Sequence, residues 1–301
     1  MNEVRLAGIS CDGSGGVEAA CRRGLGLIEE ACGQPLDIVC LPELFAWMDL
    51  DTAEKAKVAE PLDGPFCQAM ATAAAQHGVH ILTPLVELGG DGCVYNSMIW
   101  LDRGGQVLGR YRKTFPTDYE MNGGFQPGPL DFDVFQTEFG PIGCCICFDL
   151  NFPEVITRIA EQQARLVLFP TMFQGRTLMQ AWAKLHQMYF FSVACVQYGL
   201  LVDPRGKVLI EPWDHHPTLF ATVNLDYAVL ASDCNRDQWA AVRNRYGDAV
   251  EWDEEYMEGS ILLTSRHPEL SAADMVRECG LELSPELFER TRHLRRQRLS
   301  D

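Results

Sequence analysis

The stretch "GCCICFDLNFPE" (residues 143–154) places three cysteines in four positions at the end of an apolar run. Apolar character stops after Cys147, and Asp149 and Pro153 follow closely. Because proline is favoured in the first turn of a helix, the stretch predicts a buried strand that leads into a helix near residue 153. The thiol at the end of that strand could serve packing, metal binding, a disulfide or nucleophilic catalysis.

The alternation of strand and helix continues on both sides of this stretch. Buried strands are predicted at 36–42, 79–88, 164–170 and 192–199, and helices at 17–32, 65–78, 153–163 and 177–191. Short turns inside 93–113 and 199–212 predict two hairpins. From residue 227 onward the chain is more polar, and we expect it to be more helical. The pattern predicts an α/β protein whose mixed sheets are covered by helices.

The composition narrows the possible partners. The chain has 301 residues and a formal net charge of −17, which argues against nucleic acids and anionic membranes as partners, because those need basic surfaces. The charge does not by itself select a small-molecule substrate, and we interpret it mainly as favouring solubility. No apolar stretch is long enough to predict a membrane span, and the first ten residues do not resemble a signal peptide. Twelve cysteines scattered through apolar runs favour buried free thiols, and hence a cytoplasmic location.

The three clustered cysteines do not suit a metal or redox site. Cys144 and Cys147 form a C-x-x-C pair, but residues three apart on a strand point to opposite faces. No second C-x-x-C or H-x-x-x-H is present to complete four ligands, so no metal is predicted. We interpret Cys144 and Cys145 as core residues. Cys147 lies where a helix follows, and free N–H groups there would favour a thiolate and stabilise an oxyanion.

A cysteine nucleophile also needs a proton acceptor, and none of the seven histidines is suitably placed. In "LDIVCLPELFAW" (36–47), a buried strand leads directly to Glu43, and desolvation would make its carboxylate a stronger base. In "GQVLGRYRK" (105–113), Lys113 shares a strand face with Val107 and Tyr111. If that face is buried, the ammonium needs a carboxylate or an oxyanion as partner. Taken singly, each could instead be an ordinary surface residue.

Taken together, these blocks resemble a known family. "LPEL" with Glu43, "YRKTFP" with Lys113 and "GCCICFDLNFPEV" with Cys147 are similar to the three signature blocks of the nitrilase (carbon–nitrogen hydrolase) superfamily, in order and spacing. The resemblance implies a four-layer αββα sandwich of two mixed sheets with outer helices. It implies Glu43 as general base, Cys147 as nucleophile and Lys113 as the cation that stabilises the tetrahedral intermediate, with no cofactor. Glu120, in "TDYEMNGGF", would orient the lysine or the substrate.

The residues around the nucleophile carry the substrate prediction. Cys147 is followed by Phe148 and Asp149, which resembles the amidase and carbamoylase-like branch; nitrile-hydrolysing members tend to have Cys-Trp-Glu. The resemblance therefore implies hydrolysis of a small linear amide or N-carbamoyl compound through a thioester. Nitrile hydrolysis and a non-catalytic assembly partner remain alternatives. Met172 and Phe173 stand where tryptophan is common, so we expect an altered pocket wall.

Three positions depart from the family pattern. Gln187 and Met188 replace the usual Glu-Asn pair, and Val196 occupies a position that is often asparagine. These exchanges put the usual polar network near the site in doubt. The predicted organisation is a carbon–nitrogen hydrolase domain over residues 1–270 and a C-terminal extension over 271–301. By resemblance, the extension packs on a partner subunit in a homodimer or higher homo-oligomer.

Overall fold

A computed structural model describes residues 2–11, 13–195, 199–211 and 216–300 of the chain. Contacts between Cα atoms divide it into two units. The larger unit spans Val4–Val223, and the smaller one is formed by the residues up to Glu3 and from Asn224 onward. The sequence placed a boundary at residue 270 instead, and that assignment of domains, with its packing on a partner, stays a prediction.

The described residues of the larger unit form two mixed sheets of six strands each. The strands are β1 (Glu3–Ile9), β2 (Ile38–Cys40), β3 (His80–Leu88), β4 (Val94–Leu101), β5 (Val107–Arg112), β6 (Phe135–Thr137), β7 (Gly140–Cys144), β8 (Leu166–Thr171), β9 (Tyr189–Ala194), β10 (Leu201–Val202), β11 (Val208–Ile210) and β12 (Thr218–Asn224). The strand orders are β12-β1-β2-β3-β4-β5 and β11-β10-β9-β8-β7-β6.

Each sheet contains a parallel centre made of βα units and an antiparallel part made of a hairpin. Strands β1, β2 and β3 are parallel, as are β7, β8 and β9, whereas β4–β5 and β10–β11 are antiparallel. Both predicted hairpins are therefore confirmed. The helices between the strands are α1 (Val17–Ala31), α2 (Thr52–Lys57), α3 (Pro65–His77), α4 (Asp118–Asn122), α5 (Pro153–Glu161) and α6 (Arg176–His186).

The two sheets pack face to face with helices outside. A Cβ added to Gly8 of β1 would lie 2.8 Å from Val193 Cγ2 of β9, so these strands approach closely across the interface. The rings of Trp100 in β4 and Phe135 in β6 have centroids 4.9 Å apart. Helix α3 covers β3 of the first sheet, and α5 covers β7 of the second. This is the predicted αββα sandwich.

The helix predicted at 177–191 is shorter in the structure, which corrects that prediction. Helix α6 ends at His186 because Gln187 adopts the left-handed conformation, with φ of 55°, which cannot continue an α-helix. Met188 is buried, and β9 begins at Tyr189. The altered family positions Gln187 and Met188 thus form the junction between helix and strand. Val196 lies outside the described residues.

The smaller unit contains an antiparallel sheet that the sequence analysis did not predict. Its elements are β13 (Tyr227–Ala231), α7 (Ser232–Asn235), α8 (Trp239–Tyr246), β14 (Val250–Glu255), β15 (Ser260–Ser265), α9 (Ala272–Cys279) and α10 (Ser284–Ser300). The strands pair in the order β13-β15-β14. The β14 sequence, VEWDEE, carries four carboxylates, which an edge strand tolerates because much of it is exposed. Because so polar a segment does not show the apolar pattern of a strand, the sequence analysis did not identify it. No helix in the described residues is both long and apolar enough to cross a membrane.

Candidate active site

Glu43 follows the carboxyl end of β2 and is almost completely buried, with 2% of its surface exposed. Its Oε1 accepts hydrogen bonds from Lys113 Nζ and Asn96 Nδ2, each at 2.8 Å. Its Oε2 is also buried, and no described N–H or O–H group donates to it. One oxygen of the carboxylate is therefore held in place, and the other remains available as a proton acceptor.

Lys113 follows the last residue of β5 and is also 2% exposed. Tyr111 on the same face is buried and Leu108 and Arg110 on the opposite face are exposed, but Val107 is 44% exposed, so the predicted face is buried only near the end of the strand that carries Lys113. Burial alone would lower the pKa of Lys113, but the Glu43 and Glu120 carboxylates hold that pKa well above its usual value. The ammonium is therefore charged at any physiological pH.

Glu120 is fixed by the start of helix α4. Its Oε2 accepts from the Thr117 backbone N–H at 2.8 Å, while the Thr117 hydroxyl accepts from the Glu120 N–H, which completes a capping box. Lys113 Nζ lies 3.0 and 2.8 Å from the two carboxylate oxygens. Although burial opposes it, the Lys113 charge lowers the pKa of Glu120. This geometry favours lysine orientation as the role of Glu120.

Asn96 links the two carboxylates and was missed by the sequence analysis. Its Nδ2 donates to Glu43 Oε1 and to Glu120 Oε1, both at 2.8 Å, from within the buried strand β4. The signal was present in "YNSMIW", where Asn96 and Ser97 are polar in an otherwise apolar run. A buried amide in a strand needs partners, and here the partners are the site carboxylates.

Cys147 follows β7 and begins a short 3₁₀ turn over Cys147–Asn151. Its backbone has φ of 48°, in the left-handed region that residues with a Cβ rarely adopt. Such a conformation costs about 1–3 kcal/mol and persists only where the surrounding structure enforces it. The sharp turn takes the cysteine out of the strand and presents its side chain at the strand end, as nucleophiles on strand–helix turns are presented.

The thiol of Cys147 is protonated in the resting site. Burial raises the pKa of Cys147 to about 12, and the Glu43 carboxylate acts in the same direction, while the Lys113 ammonium and the Met172 backbone N–H act against it. Burial therefore outweighs the thiolate-favouring effect expected from the following helix, and the thiol needs a base to ionise. Helix α5 begins only at Pro153, too far away for its N-terminal dipole to offset burial. The same interactions place the Cys147 sulfur within electrostatic range of the Glu43 carboxylate and the Lys113 ammonium.

Phe148, next to the nucleophile, and the two predicted wall residues Met172 and Phe173 are placed differently from one another. Met172 follows β8, its backbone N–H hydrogen-bonds the Cys147 sulfur, and its side chain packs on the core. Phe148 is 38% exposed and contacts Phe152 edge to face, with ring centroids 5.3 Å apart. Phe173 packs edge to face on Phe169 at 6.0 Å. Contact of Phe148 and Phe173 with substrate stays a prediction.

Asp149 is a second residue whose role the sequence did not reveal. Its side chain is fully buried and accepts hydrogen bonds from Tyr111 Oη at 2.8 Å, the Phe115 N–H at 2.7 Å and the Ile146 N–H at 3.0 Å. It therefore ties the segment that carries Lys113 to the turn that carries Cys147. Burial raises the pKa of Asp149 to about 6, although these hydrogen bonds act against that shift.

Asp149→Asn is expected to lower the free energy of unfolding by about 1–3 kcal/mol. The NH₂ group of asparagine cannot accept a hydrogen bond, so one of the buried backbone N–H groups that now donate to the carboxylate would lose its partner. A raised pKa in the folded state means that the stabilising contribution of Asp149 is full below about pH 4 and is lost as the pH rises through about 6. In urea unfolding, the difference in free energy of unfolding between wild type and Asp149→Asn should therefore be larger at about pH 5 than at about pH 7.5. The exposed Asp133→Asn is the control, and a gap that widens with pH would contradict this account.

The arrangement combines a nucleophile, an adjacent base and a fixed cation, which are the parts needed for acyl transfer. All three follow the ends of strands from separate parts of the chain. Among the described residues, no group of three or more His, Cys, Asp or Glu side chains is arranged to hold a metal ion. All twelve cysteines are free thiols; six of them are buried and the other six are partly or fully exposed, so the expectation of buried thiols holds for half of them.

Comparison with known proteins agrees with this geometry. A family model described as carbon–nitrogen hydrolase matches residues 11–232. Deaminated glutathione amidase of Homo sapiens is 27% identical over 231 residues, which cover 67% of this chain and 71% of the relative. N-carbamoylputrescine amidase of Arabidopsis thaliana is 32% identical over 205 residues, which cover 64% of this chain and 67% of the relative.

Solved structures support the fold. Nit3 of Saccharomyces cerevisiae, a member of branch 10 of the nitrilase superfamily, superposes with a TM-score of 0.65 at 22% identity, covering 73% of this chain and 90% of that structure. A carbon–nitrogen hydrolase from Helicobacter pylori G27 superposes with a TM-score of 0.67 at 18% identity, covering 81% of this chain and 95% of that structure. The chain therefore belongs to the carbon–nitrogen hydrolase family of the nitrilase superfamily, and it is a hydrolase of carbon–nitrogen bonds other than peptide bonds.

Proposed function

We propose that this protein hydrolyses a small linear amide, or an N-carbamoyl compound, through a covalent thioester on Cys147. The observation that carries the proposal is the proximity of the three groups: Lys113 Nζ lies 2.8 Å from Glu43 Oε1, and both charges act on the Cys147 thiol. A buried carboxylate and ammonium are costly for a fold to keep unless they are used. This cost favours an enzyme over a non-catalytic assembly partner.

In the first half-reaction, Glu43 Oε2 accepts the proton of the Cys147 thiol as the sulfur attacks the carbonyl carbon of the substrate. The carbonyl π electrons move to oxygen, and Lys113 Nζ with the backbone N–H of Phe148 stabilises the resulting oxyanion. When the intermediate collapses, the carbon–nitrogen bond breaks. Glu43 returns its proton to the departing nitrogen, which leaves as ammonia or an amine.

In the second half-reaction, Glu43 takes a proton from a water molecule that attacks the thioester carbon. The same donors stabilise the second oxyanion. Its collapse breaks the carbon–sulfur bond, and the proton on Glu43 passes to sulfur, which regenerates the thiol and releases the acid. Every step uses only protons and electron pairs of the substrate, water and these side chains, so no cofactor is needed.

The amide substrate is supported by Phe148 and Asp149 after the nucleophile, and by the amidases among the similar proteins. These relatives are named as acting on deaminated glutathione and on N-carbamoylputrescine. At 27–32% identity their substrates do not transfer directly to this chain. Nitrile hydrolysis is the competing activity, because a nitrile would also be attacked by the sulfur to form a covalent intermediate.

A screen of ammonia release over amides, ureido acids and nitriles of matched carbon skeleton tests the proposal. We expect kcat/KM for the best amide or ureido acid to exceed that of its nitrile by about tenfold or more, since each tenfold corresponds to only about 1.4 kcal/mol of transition-state stabilisation. Mass spectrometry of acid-quenched reactions should find the acyl group on Cys147. Preference for nitriles would indicate a nitrilase, and no turnover with any class would support an assembly partner.

A further inference from the structure

Helix α2 lies against the segments that carry two of the site carboxylates. It begins nine residues after Glu43, and Asp51 and Glu54 form a capping box that fixes its start. A Cβ added to Gly123, three residues after Glu120, would lie 2.4 Å from Thr52 Cγ2. The helix therefore packs directly on the turn that ends α4, and any side chain at position 123 would push it away from the site.

Lys55 projects from the same side of α2 as this contact. Thr52, Lys55 and Ala56 are spaced at i, i+3 and i+4, so they share one helix face. Thr52 is buried against Gly123, and a Cβ on Gly124 would lie 3.6 Å from Ala56 Cβ. Lys55, which flanks Thr52 on the side away from Ala56, is half-buried, whereas Lys57 on the other side of the helix is exposed.

The charge of Lys55 acts on the site, although it forms no ion pair there. Burial lowers the pKa of Lys55, and the Glu43 and Glu120 carboxylates, which lie within electrostatic range, act in the opposite direction. Among the described residues, no carboxylate lies within 4 Å of its ammonium. Lys113, in contrast, donates to both carboxylates. A partly desolvated ammonium without a partner is costly, and an anionic ligand group would remove that cost.

The resting site also disfavours an anion unless a second cation is present. Glu43 and Glu120 carry two negative charges, Lys113 carries one positive charge, and Cys147 is a neutral thiol. A substrate with a carboxylate would enter a pocket of net charge −1 and be repelled. The ammonium of Lys55 supplies a second positive charge beside these groups and a donor for charge-assisted hydrogen bonds. Asp51, which also acts on Lys55, is exposed and caps the start of α2.

We propose that Lys55 is a specificity-determining residue that binds a carboxylate at the end of the substrate remote from the scissile amide. The substrate class is then a linear monoamide or ureido compound with a free carboxylate. This inference rests on the proposed amidase activity and deepens it.

The test compares glutaramate with its methyl ester and with the amine-terminated 4-aminobutanamide, in wild type, Lys55→Gln, Lys55→Arg and Lys55→Glu. We expect wild type to prefer glutaramate, and Lys55→Gln to lose at least about tenfold more in kcat/KM for glutaramate than for its ester, because one charge-assisted hydrogen bond contributes about 1.5–3 kcal/mol. The loss should appear mainly in KM. Lys55→Arg should retain the preference, and Lys55→Glu should shift it to the amine-terminated amide. The matched control Lys57→Gln, on the same helix, should change none of these ratios.

The possible failures are distinguishable. If wild type hydrolyses the ester or the amine-terminated amide as well as glutaramate, or if Lys55→Gln lowers all three rates equally, the assignment of Lys55 is overturned and the amidase proposal stands. If no amide is hydrolysed by wild type, the proposed function itself fails. Thermal unfolding of each variant separates a loss of folding from a loss of recognition.

Discussion

Cys147→Ala is expected to abolish amide turnover, with kcat falling by about 10⁴- to 10⁶-fold, as is typical when the nucleophile of a covalent mechanism is removed. The cause is chemical, since alanine has no nucleophilic atom with which to form the acyl intermediate. Steady-state ammonia release and intact-mass analysis of quenched reactions measure the rate and the adduct. The variant should remain folded, because alanine is smaller than cysteine and the exchange removes only a neutral thiol from a half-buried position.

The control for this variant is Cys145→Ala, two positions upstream at the end of β7. Cys145 is fully buried and belongs to the core, so its replacement should cost stability and leave the acyl adduct on Cys147 intact. An acyl adduct that persists on another residue in Cys147→Ala, or turnover close to that of wild type, would remove the nucleophile assignment.

Glu43→Gln is expected to lower kcat by about 10²- to 10⁴-fold, the usual contribution of general acid–base catalysis. Glutamine keeps the shape and can still accept a hydrogen bond from Lys113, but it cannot take the thiol proton. Because burial raises the pKa of Cys147 to about 12, little thiolate forms without a base near neutral pH. Alkylation of Cys147 by iodoacetamide should therefore slow in the variant and recover as the pH rises.

Glu87→Gln provides a control matched for burial. Glu87 is as buried as Glu43, but its partners are Ser97, Arg110 and Arg112. Its loss should lower the free energy of unfolding by about 1–3 kcal/mol with little change in kcat. Equal activity losses in the two variants would show that Glu43 acts through folding alone.

The sequence predicted the sandwich because its centre is made of elements with strong local signals. Continuous apolar runs such as those of β3 and β8 read as buried strands, and the turns inside the hairpins are short. Junctions were less predictable, since the end of α6 depends on a left-handed glutamine. Strand β14 was missed because an edge strand that is partly exposed carries charges at most of its positions.

The site was predictable where a functional residue ends a strand. Glu43 and Cys147 each follow an apolar run, so a reactive group stands out there, and Lys113 was identified because it shares a strand face with Tyr111. Asn96 and Asp149 act through partners that lie 24 or more residues away in the chain, such as Glu120 and Phe115, and these pairs exist only in the folded protein. The raised pKa of Cys147 could not be predicted from the sequence either, because it arises from burial by several distant segments.

The hydrogen bonds of Lys113 determine the order of events in the proposed mechanism. An ammonium has three N–H groups, and in the resting site these point to Glu43 Oε1 and to both oxygens of Glu120. Once the thiol proton reaches Glu43, the neutral acid becomes a weaker acceptor, and the N–H that faced it turns to the new oxyanion. Negative charge thus moves from the protein to the substrate while the total in the pocket stays constant, and the surrounding dipoles need not reorganise during attack.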